Sequence, residues 1–211
     1  MDASFWRQRW AKNETAWHQS KTNPLLVKHF QELSVAKRGR VFVPLCGRTL
    51  DISWLLSHGY RVAGAELSQI AIEQLFMELG VQPEITGVGE LDQWSAKNID
   101  IFVGDIFALS RQELGPVDAI YDRAALVAFP EEMRNRYTAH LTEMTGTAPQ
   151  LLICYEYDQR LLEGPPFSIS QEEVKRHYLT KYDVTLLTST DVAGGLKGKC
   201  AAKESVWLLK K

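Results

Sequence analysis

The sequence predicts an open α/β sheet with helices packed on both faces. Short apolar segments rich in β-branched residues alternate with segments of helical spacing, and a pair of strands closes the chain. Strands joined by helical crossovers run parallel and are buried on both faces, which is the arrangement that this alternation favours. No repeat, low-complexity tract or linker divides residues 1–211. We therefore expect a single domain over residues 1–211, in which residues 1–36 form an N-terminal helical segment.

The first predicted elements are two helices, Ser4 to about Ser20 and Pro24 to about Ala36. Asn23 suits the N-cap of the second helix and Pro24 its first turn. The alternating pattern then begins with a β-branched strand, Arg40–Pro44. A helix over Leu50–His58, a strand over Arg61–Glu66 and a helix capped by Ser68 that continues to Leu79 complete a β-α-β-α unit, with Gly59 and Gly80 following the two helices.

Later elements follow the same alternation with weaker punctuation. Gly87, Gly89 and the Lys97-Asn98 turn divide Ile85–Val103 into two or three short strands. The remaining predicted elements are the strand Val117–Asp122, the helix Pro130–Thr145, the strand Leu151–Tyr157, the helix Gln171–Lys181 and the strands Val184–Ser189 and Glu204–Leu209.

The composition limits the possible partners. Hydrophobic residues make up 45% and charged residues 24% of the chain, as in ordinary globular proteins, and the formal charge is −2. That charge leaves no basic excess for nucleic acid or an acidic membrane. No run reaches the ~18 apolar residues that a membrane span requires, and MDASFWRQRW has no apolar stretch of the signal-peptide type. We expect a soluble, cytoplasmic monomer that binds neither nucleic acid nor membrane.

Cysteine and histidine spacing predicts neither a disulfide framework nor a metal site. The three cysteines are widely separated, and none of the five histidines forms a close pair beside a carboxylate. Reduced thiols at Cys46, Cys154 and Cys200 are the expected state. We expect no metal.

Three polar segments follow predicted strands, where doubly wound sheets bind their ligands. They are Leu45–Arg48, Glu66–Ser68 and Asp122-Arg123. The first contains the single glycine Gly47, whereas a dinucleotide fold would use G-x-G-x-x-G and a P-loop would end in GK[ST]. Glu66, nineteen residues later, is placed to accept hydrogen bonds from both hydroxyls of a ribose. The combination indicates an adenosine ligand without phosphates; for Glu66 alone, a solvent-exposed carboxylate is the competing interpretation.

A further segment, GDIF, follows a predicted strand. Asp105 would accept from the exocyclic amine of adenine, and Ile106 and Phe107 would form an apolar wall for its ring. The competing interpretation of Asp105 is a turn residue or a helix cap.

These motifs together resemble the thiopurine S-methyltransferase family, particularly its bacterial branch. The resemblance covers nearly the whole chain, in order. It rests on Trp10, Trp17-His18, VPLCGRTLDISWL (Val43–Leu55), GAELS (Gly64–Ser68), GDIFAL (Gly104–Leu109), YDRAAL (Tyr121–Leu126) and EYDQRLLEGPPFS (Glu156–Ser168). It implies a three-layer, seven-stranded, mostly parallel Rossmann-like methyltransferase sheet with S-adenosyl-L-methionine as cofactor and a small-molecule substrate.

The resemblance also implies roles for individual residues. The implied cofactor contacts are Leu45 and Gly47 at the methionine side, Glu66 at the ribose, Asp105 and Ile106 at the adenine edge, and Trp10. Arg123 would reach the methionine carboxylate or the substrate and is the candidate catalytic residue, since a guanidinium forms bidentate pairs with carboxylates. An ion pair with Asp122 or Asp118 is the competing interpretation of Arg123.

The first segment would then act as a lid over the cofactor. Trp6, Trp10 and Trp17 are spaced to lie near one helical face. Core packing is an equal alternative for Trp6 and Trp17. For Trp10 the lid is favoured, because a sulfonium cation gains cation–π attraction beside an aromatic ring.

The acceptor region departs from the family pattern. Where relatives carry a second arginine near the substrate, the loop Ala193–Lys203 has Lys197, which would substitute as a point charge without planar guanidinium contacts. An anionic soft nucleophile such as a thiolate, or a selenium or tellurium species, needs no strong general base, and we expect Cys46 to pack rather than react. Alternatives are a methyltransferase for halide, thiocyanate or other small thiols, an NAD-dependent oxidoreductase, and a non-catalytic binding module.

Overall fold

A nine-stranded mixed sheet forms the centre of the computed structural model, which describes residues 3–15 and 17–211. The strands are β1 (Arg40–Pro44), β2 (Arg61–Glu66), β3 (Glu84–Val88), β4 (Leu91–Ala96), β5 (Ile99–Val103), β6 (Ala119–Arg123), β7 (Gln150–Tyr157), β8 (Asp183–Asp191) and β9 (Ala202–Lys210). The helices are α1 (Ala3–Ala11), α2 (Pro24–His29), α3 (Leu50–Ser57), α4 (Gln69–Leu79), α5 (Arg111–Leu114), α6 (Glu131–Met144) and α7 (Gln171–Tyr178).

The strand order is β3-β4-β5-β2-β1-β6-β7-β9-β8. The pairs from β5 through β7 are parallel, whereas β9 runs antiparallel between β7 and β8. The expected mostly parallel α/β sheet is confirmed, but with nine strands in place of seven. The two additional strands, β3 and β4, form an antiparallel hairpin at one edge, where Gly89 takes a positive φ of 60° in the two-residue turn.

Helices cover both faces of this sheet and bury a separate apolar cluster on each. On one face, side chains of α2, α3 and α4 pack on β-strand residues such as Val41 and Ile101. On the other, side chains of α5, α6 and α7 pack on residues such as Phe42 and Leu152. Because successive strand residues point to opposite faces, neighbouring residues of β1 belong to different clusters. This alternation also decides the direction of each polar side chain at the strand ends.

The amino-terminal helices are shorter than predicted. Helix α1 ends at Ala11 rather than near Ser20, and Ala16, inside the predicted range, lies outside the described residues. Asn13 takes a left-handed φ of 54°, and the Glu14 amide donates to the Arg9 carbonyl, which is a helix-terminating geometry.

The second amino-terminal helix begins as predicted, because the Asn23 side chain accepts from the Leu25 amide at 2.8 Å. It ends at His29 and continues as a 3₁₀ turn over Phe30–Leu33, before a left-handed Ser34. Helix α5 was not predicted, although its capping box between Ser110 and Glu113 is a readable signal.

None of the helices formed by residues 3–15 and 17–211 is long and apolar enough to cross a membrane. The same residues contain no group of three or more metal-ligating side chains.

Candidate active site

The polar segments singled out from the sequence meet at the carboxyl ends of β1, β2, β5 and β6, which we call the strand-tip edge. β1 lies between β2 and β6, so chain connections leave it in opposite directions and the strand order reverses there. Open α/β sheets bind ligands at such a switch point. The structure therefore brings Leu45, Gly47, Glu66, Asp105 and Arg123 to one edge of the sheet.

Glu66 joins the loops that follow β1 and β2. One carboxylate oxygen accepts from the Gly47 amide at 2.9 Å and the other accepts from the Ser68 amide at 2.9 Å. Its backbone carbonyl accepts from the Gly104 amide at 2.9 Å, which brings the end of β5 to the same residue. Glu66 is only 6% exposed, so the alternative of a solvent-exposed carboxylate is wrong.

Burial also changes the ionisation of Glu66. Desolvation raises the pKa of this carboxyl, and the hydrogen bonds from the Ser68 and Gly47 amides oppose that increase. A carboxylate has about four lone-pair positions, so Glu66 keeps acceptor capacity beyond its bonds to the Gly47 and Ser68 amides.

Trp10 covers the loop after β1. Gly47 has a φ of 52°, and a Cβ atom at this position would lie 3.1 Å from Trp10 Cζ2. Leu45, two residues earlier, has a φ of 45°, which is unusual for a residue other than glycine. The Trp10 side chain is 4% exposed, so it is buried between the body of α1 and this loop rather than on the surface. The close approach explains why this loop needs a glycine.

Cys46 fills space beneath the same loop. A Cβ atom on Gly64 would lie 3.0 Å from Cys46 Sγ and 2.7 Å from Ile101 Cδ1. Burial, followed by the nearby Glu66 carboxylate, raises the pKa of the Cys46 thiol well above its usual range. A protonated thiol packed against strand residues is a core group, as expected from the sequence, and not a nucleophile.

Asp105 and Ile106 occupy different environments. The Asp105 Oδ1 accepts from the Phe107 amide at 3.0 Å, so this exposed residue caps a short 3₁₀ turn, as one interpretation of the sequence had it. Ile106 is buried in the core cluster, and its carbonyl lies 2.9 Å from His140 Nε2. Their contacts with adenine stay predictions.

Arg123 is the last residue of β6 and faces the same layer as α2, α3 and α4. Asp122 points to the opposite face, where its two oxygens accept from the Tyr137 hydroxyl at 2.7 Å and from the Ala125 and Leu126 amides at 3.2 Å. Asp118 accepts from the Arg40 amide at 2.6 Å. Within the described part of the chain Arg123 forms no ion pair, so the competing interpretation of this residue is not realised.

Asp122 supports the turn that follows Arg123. Ala124, at the centre of that turn, has a φ of 82°. The carboxylate is fully buried, and desolvation raises its pKa to about 6 against the opposing effect of the Tyr137 and main-chain hydrogen bonds. Strained non-glycine residues thus follow both β1 and β6, the strands next to the switch point, and such strain is concentrated at functional sites in many proteins.

Helix α1 contacts the strand-tip edge through Trp10, which lies beside Gly47. Trp17 packs edge-on against Trp6 and Trp10, with ring centroids 5.3 and 5.9 Å apart. The predicted shared helical face is wrong for Trp17, because the helix ends before it, but the three rings do form one cluster. Partial burial lowers the pKa of the Lys197 ammonium group, and the positive charge of Arg9 in α1 lowers it further.

Lys197 lies at the far end of this edge, in the loop between β8 and β9. Its Nζ donates to the Pro165 carbonyl at 2.7 Å, which ties the β8–β9 loop to the GPPF segment. A small apolar cluster, formed by Tyr157, Leu196, Cys200 and Ala202, lies beneath these two loops.

Tyr155 and Glu204 were not singled out from the sequence. Both face the layer of Arg123; burial and the Glu204 carboxylate raise the pKa of Tyr155, and the Arg123 guanidinium opposes this increase. Their proximity depends on the pairing of β7 with β9, which the sequence pattern does not specify. Asp51 was also missed: it is buried and accepts from the Asn23 amide at 2.7 Å and the Tyr121 hydroxyl at 2.9 Å.

Two solved methyltransferases have the same architecture as this chain. A SAM-dependent methyltransferase from Anabaena variabilis aligns with a TM-score of 0.64 at 18% identity, covering 99% of this chain and 95% of the other. A 1,6-didemethyltoxoflavin-N1-methyltransferase from Burkholderia thailandensis, solved with S-adenosylhomocysteine, aligns with a TM-score of 0.67 at 14% identity, covering 99% and 87%. The fold is thus that of the SAM-dependent methyltransferases.

Sequence comparison narrows this class to one family. The family model for thiopurine S-methyltransferase matches residues 1–211. A thiopurine S-methyltransferase from Xanthobacter autotrophicus is 57% identical over 100% of both chains, and one from Teredinibacter turnerae is 51% identical over 99% of this chain and 97% of its own. The chain belongs to the thiopurine S-methyltransferase family. It is a methyltransferase, and the expected cofactor, S-adenosylmethionine, is confirmed at the level of the family.

Proposed function

We propose that the protein transfers a methyl group from S-adenosylmethionine to the sulfur of a thiopurine or of a related small soft nucleophile, with selenium and tellurium species as further acceptors. The observation that carries the proposal is the asymmetry of the strand-tip edge. A buried carboxylate, Glu66, organises one half, whereas Arg123, without a paired carboxylate among the described residues, faces the other. We call the first the cofactor half and the second, with Tyr155 and the β8–β9 loop, the acceptor half.

The residues of the cofactor half fit a nucleoside. Glu66 keeps acceptor capacity for hydroxyl donors beyond its bonds to Gly47 and Ser68. Gly47 presents no side chain beside Trp10, whose indole face suits a sulfonium. Leu45 would contact the methionine portion, and Asp105 and Ile106 would contact the adenine edge.

The chain's own groups need to do little proton transfer in this reaction. Bound S-adenosylmethionine supplies a methyl group on a positively charged sulfur, and the departing thioether is neutral. An anionic sulfur acceptor already carries the required electron pair, so alignment and exclusion of water contribute most of the rate acceleration. Well-oriented reactants reach effective molarities of ~10⁵ M or more. Cys46 stays protonated and buried and takes no part.

The acceptor half favours an anion. Arg123 would stabilise a thiolate or another anionic acceptor electrostatically. Lys197, in the β8–β9 loop, and Arg9, in α1, add positive charge near this half. Arg9 is itself 3.6 Å from Glu14, which moderates its contribution. The overall charge of −2 supports a small-molecule acceptor rather than a nucleic acid.

A binding titration and an acceptor panel test this proposal together. We expect S-adenosylhomocysteine to bind in calorimetry, NAD to give no heat, and label from methyl-labelled S-adenosylmethionine to appear on 6-mercaptopurine. Methylation of iodide or thiocyanate alone would move the assignment to a halide or thiocyanate methyltransferase. Selenite in the same panel tests the selenium acceptor. Binding of the cofactor without any methylated product would leave a non-catalytic binding module.

A further inference from the structure

Three polar side chains lie in a row across β6, β7 and β9. Arg123 pairs with Ile153, two residues before Tyr155, and Tyr155 pairs directly with Glu204. Residues paired across a sheet, and residues two apart along a strand, point to the same face. The register alone therefore places the Arg123, Tyr155 and Glu204 side chains next to one another on the acceptor half.

The charges in this row are complementary. The strand register places Tyr155 between Arg123 and Glu204, and all three side chains are partly buried. For the chain segments that the structure describes, Glu204 has no ion pair of its own, just as Arg123 has none. A guanidinium only donates and a carboxylate only accepts, so a hydroxyl between them can accept from one and donate to the other.

We propose that Tyr155 and Glu204 are positioning residues for Arg123, fixing the orientation of its guanidinium toward the methyl acceptor. The proposal rests on the proposed function in one respect, namely that Arg123 contacts the acceptor. An arginine side chain loses rotamer entropy when it is held in one orientation. An anchor that restricts Arg123 before the acceptor binds removes part of that cost from the binding step.

Tyr155 acts in this row as a neutral hydroxyl. Burial and the adjacent Glu204 raise its pKa to about 12, while Arg123 opposes the increase. Tyr155 thus remains protonated throughout the pH range in which the enzyme can be assayed, and it serves as an anchor rather than as a base.

The matched variants are Tyr155→Phe and Tyr182→Phe. Each removes one hydroxyl and keeps the ring; Tyr182 donates to the Ala148 carbonyl at 3.0 Å, just before β8 and away from the strand-tip edge. We expect Tyr155→Phe to raise the KM for 6-mercaptopurine ~3- to 10-fold, the equivalent of one lost hydrogen bond, with a smaller change in kcat. Tyr182→Phe should lower thermal stability comparably and leave both constants unchanged. Equal kinetic losses in the two variants would reduce Tyr155 to a structural residue and overturn the proposal.

Combination with Arg123→Ala separates this proposal from the proposed function. If Arg123 contacts the acceptor, Arg123→Ala alone raises the KM for 6-mercaptopurine, and Tyr155→Phe adds nothing in that background. A silent Arg123→Ala would remove the assigned role of Arg123 itself. A damaging Arg123→Ala with an unaffected Tyr155→Phe, or with additive losses in the double variant, would keep the proposed function and reject the positioning role.

The third member of the row is tested by charge. Glu204→Gln keeps an acceptor for the Tyr155 hydroxyl, whereas Glu204→Ala does not. We expect Glu204→Gln to retain most of the affinity for 6-mercaptopurine and Glu204→Ala to match Tyr155→Phe. Wild-type KM in Glu204→Ala would exclude Glu204 from the row.

Discussion

The two halves of the strand-tip edge are built by different means. In the cofactor half, the Glu66 carboxylate accepts from main-chain amides of two loops, so the backbone itself is part of the site. In the acceptor half, the groups at the strand ends are the long side chains of Arg123 and Tyr155, and the buried carboxylate next to them in the chain, Asp122, lies on the opposite face and accepts from the main chain of a single loop.

This difference separates what is fixed from what can vary. A main-chain amide donates whatever side chain its residue has. The cofactor half therefore keeps its shape as long as a carboxylate stands at position 66 and a glycine at position 47. Side chains such as Arg123 and Lys197 can be exchanged without rebuilding the loops beneath them. Under the proposed function, one cofactor half can accordingly serve different acceptors.

The largest expected effect concerns Asp122. Because its folded-state pKa of about 6 is above its ordinary value of 3.8, the folded state holds this proton more tightly than the unfolded state. The corresponding stabilisation is present below about pH 4 and is lost as the pH rises through 6, a change of about 3 kcal/mol. We therefore expect the free energy of unfolding of the wild type to fall between pH 4 and pH 7 in urea titrations. In Asp122→Asn this fall should be smaller by about 3 kcal/mol. Asp118→Asn, an exposed control, should keep the wild-type slope; identical slopes in all three proteins would contradict the prediction.

Glu66→Ala tests whether the cofactor half depends on the hydrogen bonds of the Glu66 carboxylate to the Gly47 and Ser68 amides. Removal of the acceptor leaves the Gly47 and Ser68 amides and the ribose hydroxyls without a partner, so S-adenosylhomocysteine should bind about 1–3 kcal/mol more weakly by calorimetry. Glu73→Gln, on the exposed face of α4, is the control and should bind as the wild type does. Unchanged affinity in Glu66→Ala would remove this residue from the site.

Trp10→Ala distinguishes the lid from the core. A cation–π contact is worth about 0.5–2 kcal/mol and acts only on a charged sulfur. Binding of S-adenosylmethionine should therefore weaken more than binding of neutral S-adenosylhomocysteine, while circular dichroism stays native. Equal losses for the two ligands would mean that Trp10 contributes contact area alone, and unfolding would favour core packing.

The smallest effect is expected in the acceptor loop. Lys197 is exposed and already donates to Pro165. Lys197→Ala should therefore raise the KM for 6-mercaptopurine by a factor equivalent to less than about 1 kcal/mol of binding free energy. Added salt should reduce the difference in KM between the variant and the wild type. Lys199→Ala controls for general charge. A large, salt-independent loss would place Lys197 in direct contact with the acceptor.

The elements with strong local signals were predictable from the sequence. The bounds of β1 and β2 were predicted residue by residue, and Ser68 and Gly80 delimit α4 as expected. The meeting of Gly47, Glu66 and Arg123 at one edge also followed from the sequence, because parallel strands bring their carboxyl ends together.

Features that depend on tertiary context were not predictable. Leu45 and Ala124 take positive φ values although neither is a glycine, and nothing in their side chains indicates this. The neighbourhood of Tyr155 and Glu204 depends on strand register. The burial of Glu66 depends on the amides of two loops that are distant in sequence.

The reversed direction of β9 has a consequence for how such enzymes diversify. Because β8 and β9 are joined as a hairpin, the loop over residues 192–201 reaches the strand-tip edge without a crossover helix. Doubling the length of such a loop costs only about 0.6 kcal/mol in closure entropy. Insertions and deletions there can accumulate during evolution, and can be introduced in the laboratory, while the parallel strands and their crossovers remain as they are.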